Sequence, residues 1–173
     1  MSRQQKLTDF QGQLAQKLKD SQDKAMDSRW LAAIAGGSRI LLPLPHVGEI
    51  SGYTPPSPMP HAKPWFMGVV NIRGMLYGVT DLAVLIGASE AGARKATNQA
   101  RFVQFTERLD LNAVFMLDQV IGLRTPEQFS IEDDSMSRDE WLGVKLRDEN
   151  GKIWRELNLV ALSENEDFLR VSV

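Results

Sequence analysis

The stretch WFMGVVNIRGMLYGVTDL, residues 65–82, decides how the rest of the chain is read. It reads as two apolar β-strands joined at a tight turn. A charged Arg73 stands at that turn, just before Gly74, with Asn71 and Asp81 close by in sequence. Asp81 has the side chain of a helix N-cap for the short run LAVLIG, in which Leu82, Leu85 and Ile86 share a face and Gly87 is the stop. An arginine at the tip of so hydrophobic a strand pair serves the fold, a catalytic site or a partner.

Working upstream, WLAAIAGGSRILLPL reads as strand, Gly-Gly turn, strand, and VGEISGY as a short strand. TPPSPMPHAKP follows, with Pro55, Pro56, Pro58, Pro60 and Pro64; such a run is expected to stay out of any ladder as an extended connection. Residues 5–27 are polar, with Leu7, Phe10, Leu14 and Leu18 spaced as a narrow stripe on one helical face. That stripe packs on the chain's own domain, frays in solution or binds a partner. Downstream, ASEAGARKATNQA (88–100) is small and polar, a linker or surface loop.

The remainder repeats the plan. RFVQFTERLDLNAVFMLDQVIGLRTP follows the layout of RWLAAIAGGSRILLPLPHVGEISGYTP, with Val120 answering Val47. EWLGVKLRDENGKIWRELNLVAL then answers PWFMGVVNIRGMLYGVTDLAVL, its turn DENGK standing in place of Arg73-Gly74. Two β-units of roughly sixty residues are the result, a size at which small barrels need a neighbour to bury enough surface. The acidic segment EDDSMSRDE (132–140) is the solvated loop before the last hairpin.

Composition narrows the function. The 173 residues are 43% hydrophobic and 24% charged, with a net charge of −2 and no cysteine. These values suit one domain or two small lobes with a real core, and exclude thiolate catalysis, disulfides and cysteine metal sites. No secretory leader or membrane-length apolar run is present, so a soluble, cytoplasmic protein without membrane insertion is expected. His46 and His61 lack metal-ligand spacing, Asp133-Asp134 lacks apolar framing, and no GxSxG or P-loop occurs. Gly68, Gly74 and Gly78 alternate with strand residues rather than opening a helix, as a phosphate loop would. The expectation is a chain with neither catalytic site nor cofactor. A small-barrel nucleic-acid binder is the alternative, with Trp30, Trp65, Trp141 and Trp154 as stacking candidates. The acidic balance argues against it, and core packing accounts for the tryptophans better.

With both units in view, Gly68-Val-Val-Asn-Ile-Arg-Gly74, then Val79-Thr-Asp-Leu82 and Gly87, resembles the signature of CheW-like domains, GVxNxRGxxxPVxDLxxxxG. VGEI (47–50) resembles the V-x-E-I upstream in that family, and the likeness runs over about residues 29–162. Gly78 departs from it, standing where the family has proline. The helical arm, the Trp154 hairpin and the ending NEDFLRVSV are similar to the PilI-type branch of type IV pilus systems.

The resemblance implies a mainly β fold: two intertwined, five-stranded, SH3-like β-barrels packed together, with short helices and an N-terminal helical arm. On that reading residues 1–28 are the extension and 29–173 the CheW-like domain. Its first β-unit spans about 29–87, the linker 88–100, the second unit about 101–162 and the tail 163–173. It also implies a non-enzymatic adaptor joining chemoreceptor cytoplasmic tips to the regulatory domain of a CheA-type histidine kinase, recruited to membrane-associated receptor arrays. The start at Met1 without a kinase motif sets the expectation of an adaptor rather than a module of a larger kinase. Carried over by position, Val47, Glu49, Ile50, Asn71, Arg73, Gly74 and Asp81 are the partner-binding candidates. Arg73 is a charged anchor, pairs with Glu49 or Asp81 to staple a barrel, or does both; Val47 and Ile50 offer apolar contact to an amphipathic helix.

Overall fold

In the computed structural model, residues 3–27, 29–133, 135 and 137–173 are described, so Asp134 and part of the acidic loop lie outside the described residues. A helix α1 (Arg3–Asp27) leads into the first half: β1 (Trp30–Ala35), β2 (Ser38–Pro43), β3 (Val47–Gly52), β4 (Phe66–Ile72), β5 (Met75–Asp81) and the short α2 (Leu82–Leu85). The second half repeats the order as β6 (Arg101–Phe105), β7 (Ala113–Leu117), β8 (Gln119–Arg124), β9 (Phe129–Asp133), β10 (Leu142–Asp148), β11 (Ile153–Leu157) and α3 (Leu159–Ser163). A final turn of helix, α4 (Glu166–Leu169), precedes the C-terminus. Both α2 and α3 begin as the sequence dictates: Asp81 accepts the Ala83 N–H, and Asn158 accepts the Ala161 N–H.

The halves of the sequence are not the sheets. The first sheet runs β8-β1-β2-β11-β10-β9 and the second β3-β6-β7-β5-β4. Each therefore takes the opening hairpin of one half and the later strands of the other. The junction is parallel both times, with Arg155 opposite Ile40 in one sheet and Gly78 opposite Ala113 in the other. A contiguous first unit over 29–87 is thus not one sheet. Six strands make up the first sheet rather than five because the Pro126–Gln128 turn interrupts a single run into β8 and β9.

That run closes the first sheet, pairing with β1 at one end and β10 at the other. The second sheet closes likewise, and here the proline-rich segment departs from expectation. Ser57, between two prolines, keeps its own N–H and exchanges bonds of 2.8 and 2.9 Å with Val69 on the outer edge of β4. Gly68 makes the approach possible: its φ is 126°, and a side chain there would run into the Ser57 carbonyl. Closure leaves no long bare edge.

Alternation along the strands produces three apolar layers. Ala32, Leu41, Leu146 and Trp154 fill the first barrel, and Val70, Val79, Phe102, Val114 and Met116 the second. Between them lie Ile40, Leu42 and Leu157 from one sheet and Val103, Phe105, Phe115 and Leu117 from the other. Phe105 meets Phe115 edge-to-face at 4.7 Å. By contrast, the α1 stripe is bare: Leu7, Phe10, Leu14 and Leu18 are all exposed, so it does not pack on the domain.

Candidate functional site

Ile72 lies opposite Met75, so Arg73 and Gly74 alone turn β4 into β5. Their φ values, 53° and 84°, are the two positive angles that a type I′ hairpin turn needs. Gly74 accepts that conformation freely; Arg73 adopts it at a cost of about 1–2 kcal/mol. Asn71 braces the turn, its Oδ1 accepting the Gly74 N–H at 2.8 Å. The ladder with β7 begins only at Gly78, whose N–H donates to the Asn112 carbonyl at 2.9 Å, a bond that proline could not make. Ahead of that rung the hairpin projects as a two-stranded ribbon.

The ribbon brings the β3 residues and the tip together. Arg73 Nη2 meets Glu49 Oε1 at 2.8 Å, with the arginine side chain 79% exposed. Ile50 is exposed beside Glu49 in sequence, whereas Val47 is half-buried opposite Phe105 against the layer between the barrels. Met75 and Leu76, read from sequence only as strand, are 54% and 64% exposed. Their adjacency was the available signal, since neighbours on a strand point to opposite faces and cannot both be core.

Asp81 stands apart from this group. It ends β5 six residues beyond Met75, about 20 Å along the strand, and is buried. Its partner is Arg94, Nη2 to Oδ1 at 2.8 Å. The same guanidinium holds Asp118 at 3.1 Å, and Asp118 accepts the Gly36 N–H at 2.7 Å. Burial works against the Arg94 charge, but the hydrogen bonds and charges of both carboxylates outweigh it and raise its pKa. The segment 88–100 is thus more than a linker: Arg94 ties the end of β5 to the β7–β8 corner and the β1–β2 turn.

The profile of the CheW-like domain matches residues 29–167. The chain belongs to the CheW-like family. It is 33% identical to Protein PilI of Pseudomonas aeruginosa over 89 residues, 51% of this chain and 48% of that one. It is 42% identical to the chemotaxis protein CheW of Rhizobium meliloti over 45 residues, 26% of this chain and 29% of that one. Such matches span about half the length of these curated relatives or less. The scaffolding protein TtCheW from Thermoanaerobacter tengcongensis has the same fold, with a TM-score of 0.60 at 15% identity, covering 77% of this chain and 85% of that one.

Within this CheW-like fold the two hairpin turns differ in kind. The second barrel's turn, between β4 and β5, ends in an exposed cation whose partner lies on another strand. In the first barrel, between β10 and β11, Asp148 closes its own loop, accepting the Trp154 indole N–H at 2.8 Å and the Asn150 and Lys152 N–H groups at 2.9 Å each. Those bonds, the indole's first, hold the Asp148 carboxyl below its usual range. Arg147, just ahead of that loop, pairs across strands as well, with Glu132 on β9 at 2.7 Å; the β4–β5 turn differs in carrying its cation within the turn itself. Among the described residues no helix is long and apolar enough to cross a membrane.

Proposed function

We propose that this chain is a non-enzymatic adaptor that couples methyl-accepting chemoreceptors to a CheA-type histidine kinase in a type IV pilus system, working in the cytoplasm at receptor arrays. The observation that carries the reading is the projecting tip, where exposed Ile50, Met75 and Leu76 accompany the Glu49–Arg73 pair. An amphipathic receptor helix supplies a matching apolar stripe. Each 100 Å² of apolar surface removed from water contributes about 2.5 kcal/mol before the costs of association. Arg73 has five donors and meets Glu49 only as an ion pair through Nη2, so a partner carboxylate or the carbonyls at a helix end can take its N–H groups. Glu49 holds the guanidinium near its bound position, which lowers the ordering cost. Similarity to Protein PilI supports the pilus branch over a flagellar one.

Co-purification of the full chain with its genomic neighbour kinase and a receptor cytoplasmic tip is the test. Wild type is expected in a ternary complex, and Arg73→Glu and Leu76→Asp are each expected to lose one partner while keeping the wild-type circular dichroism. A wild-type chain that retains neither partner would overturn the assignment.

A further inference from the structure

The exchange of hairpins relates the two barrels position by position, and one pair of equivalent grooves differs. In the second barrel the groove flanking the parallel β5–β7 junction is lined by Trp65, Phe66, Gly78 and Ala113, and the chain's own C-terminus walls one side with Phe168, Leu169 and Val171, leaving about 130 Å³. Phe168 is buried there and stacks on Trp65 at 5.2 Å. The strand after it is held by the Lys63 N–H to the Val171 carbonyl at 2.8 Å and the Val173 N–H to the His61 carbonyl at 2.9 Å. Lys63 Nζ also binds the Asp167 carbonyl at 2.6 Å. Phe168 ends the acidic run Glu164-Asn165-Glu166-Asp167, whose carboxylates stay exposed outside the groove.

In the first barrel the equivalent groove flanks the parallel β11–β2 junction and is open, about 390 Å³, between Ile40, Leu142 and Ile153. Arg39, Lys145 and Arg155 line it as well. Lys145 lies directly opposite Arg155 in the β10–β11 ladder, a like-charge placement that destabilises a sheet. The nearest countercharge by register is Asp133, across from Lys145 on β9, and its carboxylate accepts the Ser135 N–H at 2.8 Å. No ion pair to any of the three cations is present among the described residues. Arg155 Nη1 donates to the Gly143 carbonyl at 3.0 Å, but no described carboxylate lies within ion-pair distance of the three half-buried cations around this apolar slot, and an anionic occupant would supply one.

We propose that this groove docks an acidic, apolar-anchored segment of a partner protein, one large side chain entering between Leu142 and Ile153 while carboxylates meet Arg39, Lys145 and Arg155. The twin groove supplies the precedent for the apolar anchor, Phe168 packed on Trp65, and the three cations supply the demand for carboxylates; the occupant comes from another chain, because Phe168 is already packed in the twin groove. The surface is separate from the Arg73 tip, so it does not depend on the receptor–kinase reading.

The probe is the peptide acetyl-ENEDFLR-amide titrated into the isotope-labelled full chain, read by amide chemical shifts. Shifts are expected at Ser38, Arg39, Ile40, Lys145, Ile153 and Arg155. Binding is expected to weaken at least tenfold for acetyl-QNQNFLR-amide and for the Lys145→Glu/Arg155→Glu variant. If that double variant misfolds, Arg39→Glu and a salt titration give the same reading on an intact fold. Equal binding of the amide peptide, shifts confined to Trp65, Thr80 and Ala113, or no shift at millimolar peptide would each overturn the proposal. So would a wild-type dimer that the charge reversal dissolves, since the occupant would then be a second copy.

Discussion

Replacing Arg73 with glycine separates what that residue does for the fold from what it does for a partner. Three contributions to stability change. The left-handed conformation at φ 53° costs an arginine about 1–2 kcal/mol, and glycine removes that cost. Glycine restores freedom to the unfolded chain, which costs about 0.4–1 kcal/mol. The Glu49 ion pair is lost, and at 79% exposure of the arginine it is worth about 0–1 kcal/mol. The sum runs from about 1 kcal/mol of net loss to about 1.6 kcal/mol of net gain, so the Tm falls by no more than roughly 4 °C for a chain of this size. Asn71 still accepts the Gly74 N–H, so the turn keeps its shape. Partner binding has no such compensation: removing a charge-assisted contact from an interface typically costs 2 kcal/mol or more, about thirtyfold in Kd. Thermal unfolding by circular dichroism and calorimetric titration with the receptor tip or kinase domain read the two quantities on one preparation. A variant whose Tm falls by 8 °C or more while its affinity is unchanged would show that Arg73 is a staple of the barrel, and the interface assignment would be wrong.

Removing the Arg94 guanidinium as Arg94→Leu strands Asp81 and Asp118 together; allowing for the partial exposure of Asp118, the loss is about 2–3 kcal/mol and the Tm falls by roughly 4–12 °C. A drop under 2 °C in a thermal melt would refute the role assigned to it. Gly68→Ala sets a side chain against the Ser57 carbonyl at a φ of 126°, and is expected to cost about 2 kcal/mol and to speed hydrogen exchange at the Ser57 and Val69 amides before others. Burial raises the Glu156 pKa, opposed by a hydrogen bond with Trp30. The folded state therefore binds more protons than the unfolded one above pH 4.5, and stability falls as pH climbs through the folded pKa. Glu156→Gln is expected to have the higher Tm at pH 7, with the gap to wild type closing near pH 4; a gap that widens on acidification would reverse the sign.

How much of this was legible depends on the range over which each residue acts. The Arg73-Gly74 tip and the Asp81 cap are local, set by the angles of a two-residue turn and by one N–H two residues on, and sequence carries such information directly. The repeat was equally plain. What sequence does not carry is which copy of a hairpin a strand pairs with, because β5 offers the same edge to β2 as to β7. In the structure the short turn Leu44–His46 carries the chain from β2 of the first sheet to β3 of the second. Arg94 was hidden for another reason. Its acids lie 13 and 24 residues away and it sits in a run of small polar residues, where no periodicity points to a buried cation. The α1 stripe shows the converse, since its spacing was visible but its exposure was not. Asp81, placed among partner-binding candidates by position in a motif, lies buried under Arg94; a motif position does not say whether a residue serves the surface or the frame.

The exchange of hairpins also decides how the molecule comes apart. A chain of two successive barrels would unfold in two steps and could be cut between them. Here every barrel needs strands from both sides of residues 88–100, and the layer holding Phe105 and Phe115 draws on both sheets. Fragment 29–87 would leave β1 and β2 without β8 or β11, and β4 and β5 without β7, exposing the apolar faces those strands cover. Neither 29–87 nor 101–173 is therefore expected to fold alone, whereas co-expressed fragments should pair into a folded complex. The intact chain should melt in one transition with calorimetric and van't Hoff enthalpies equal. Such coupling holds the Arg73 tip and the groove at Arg155 in one cooperative frame. A folded isolated fragment, by dispersed amide shifts, would refute it.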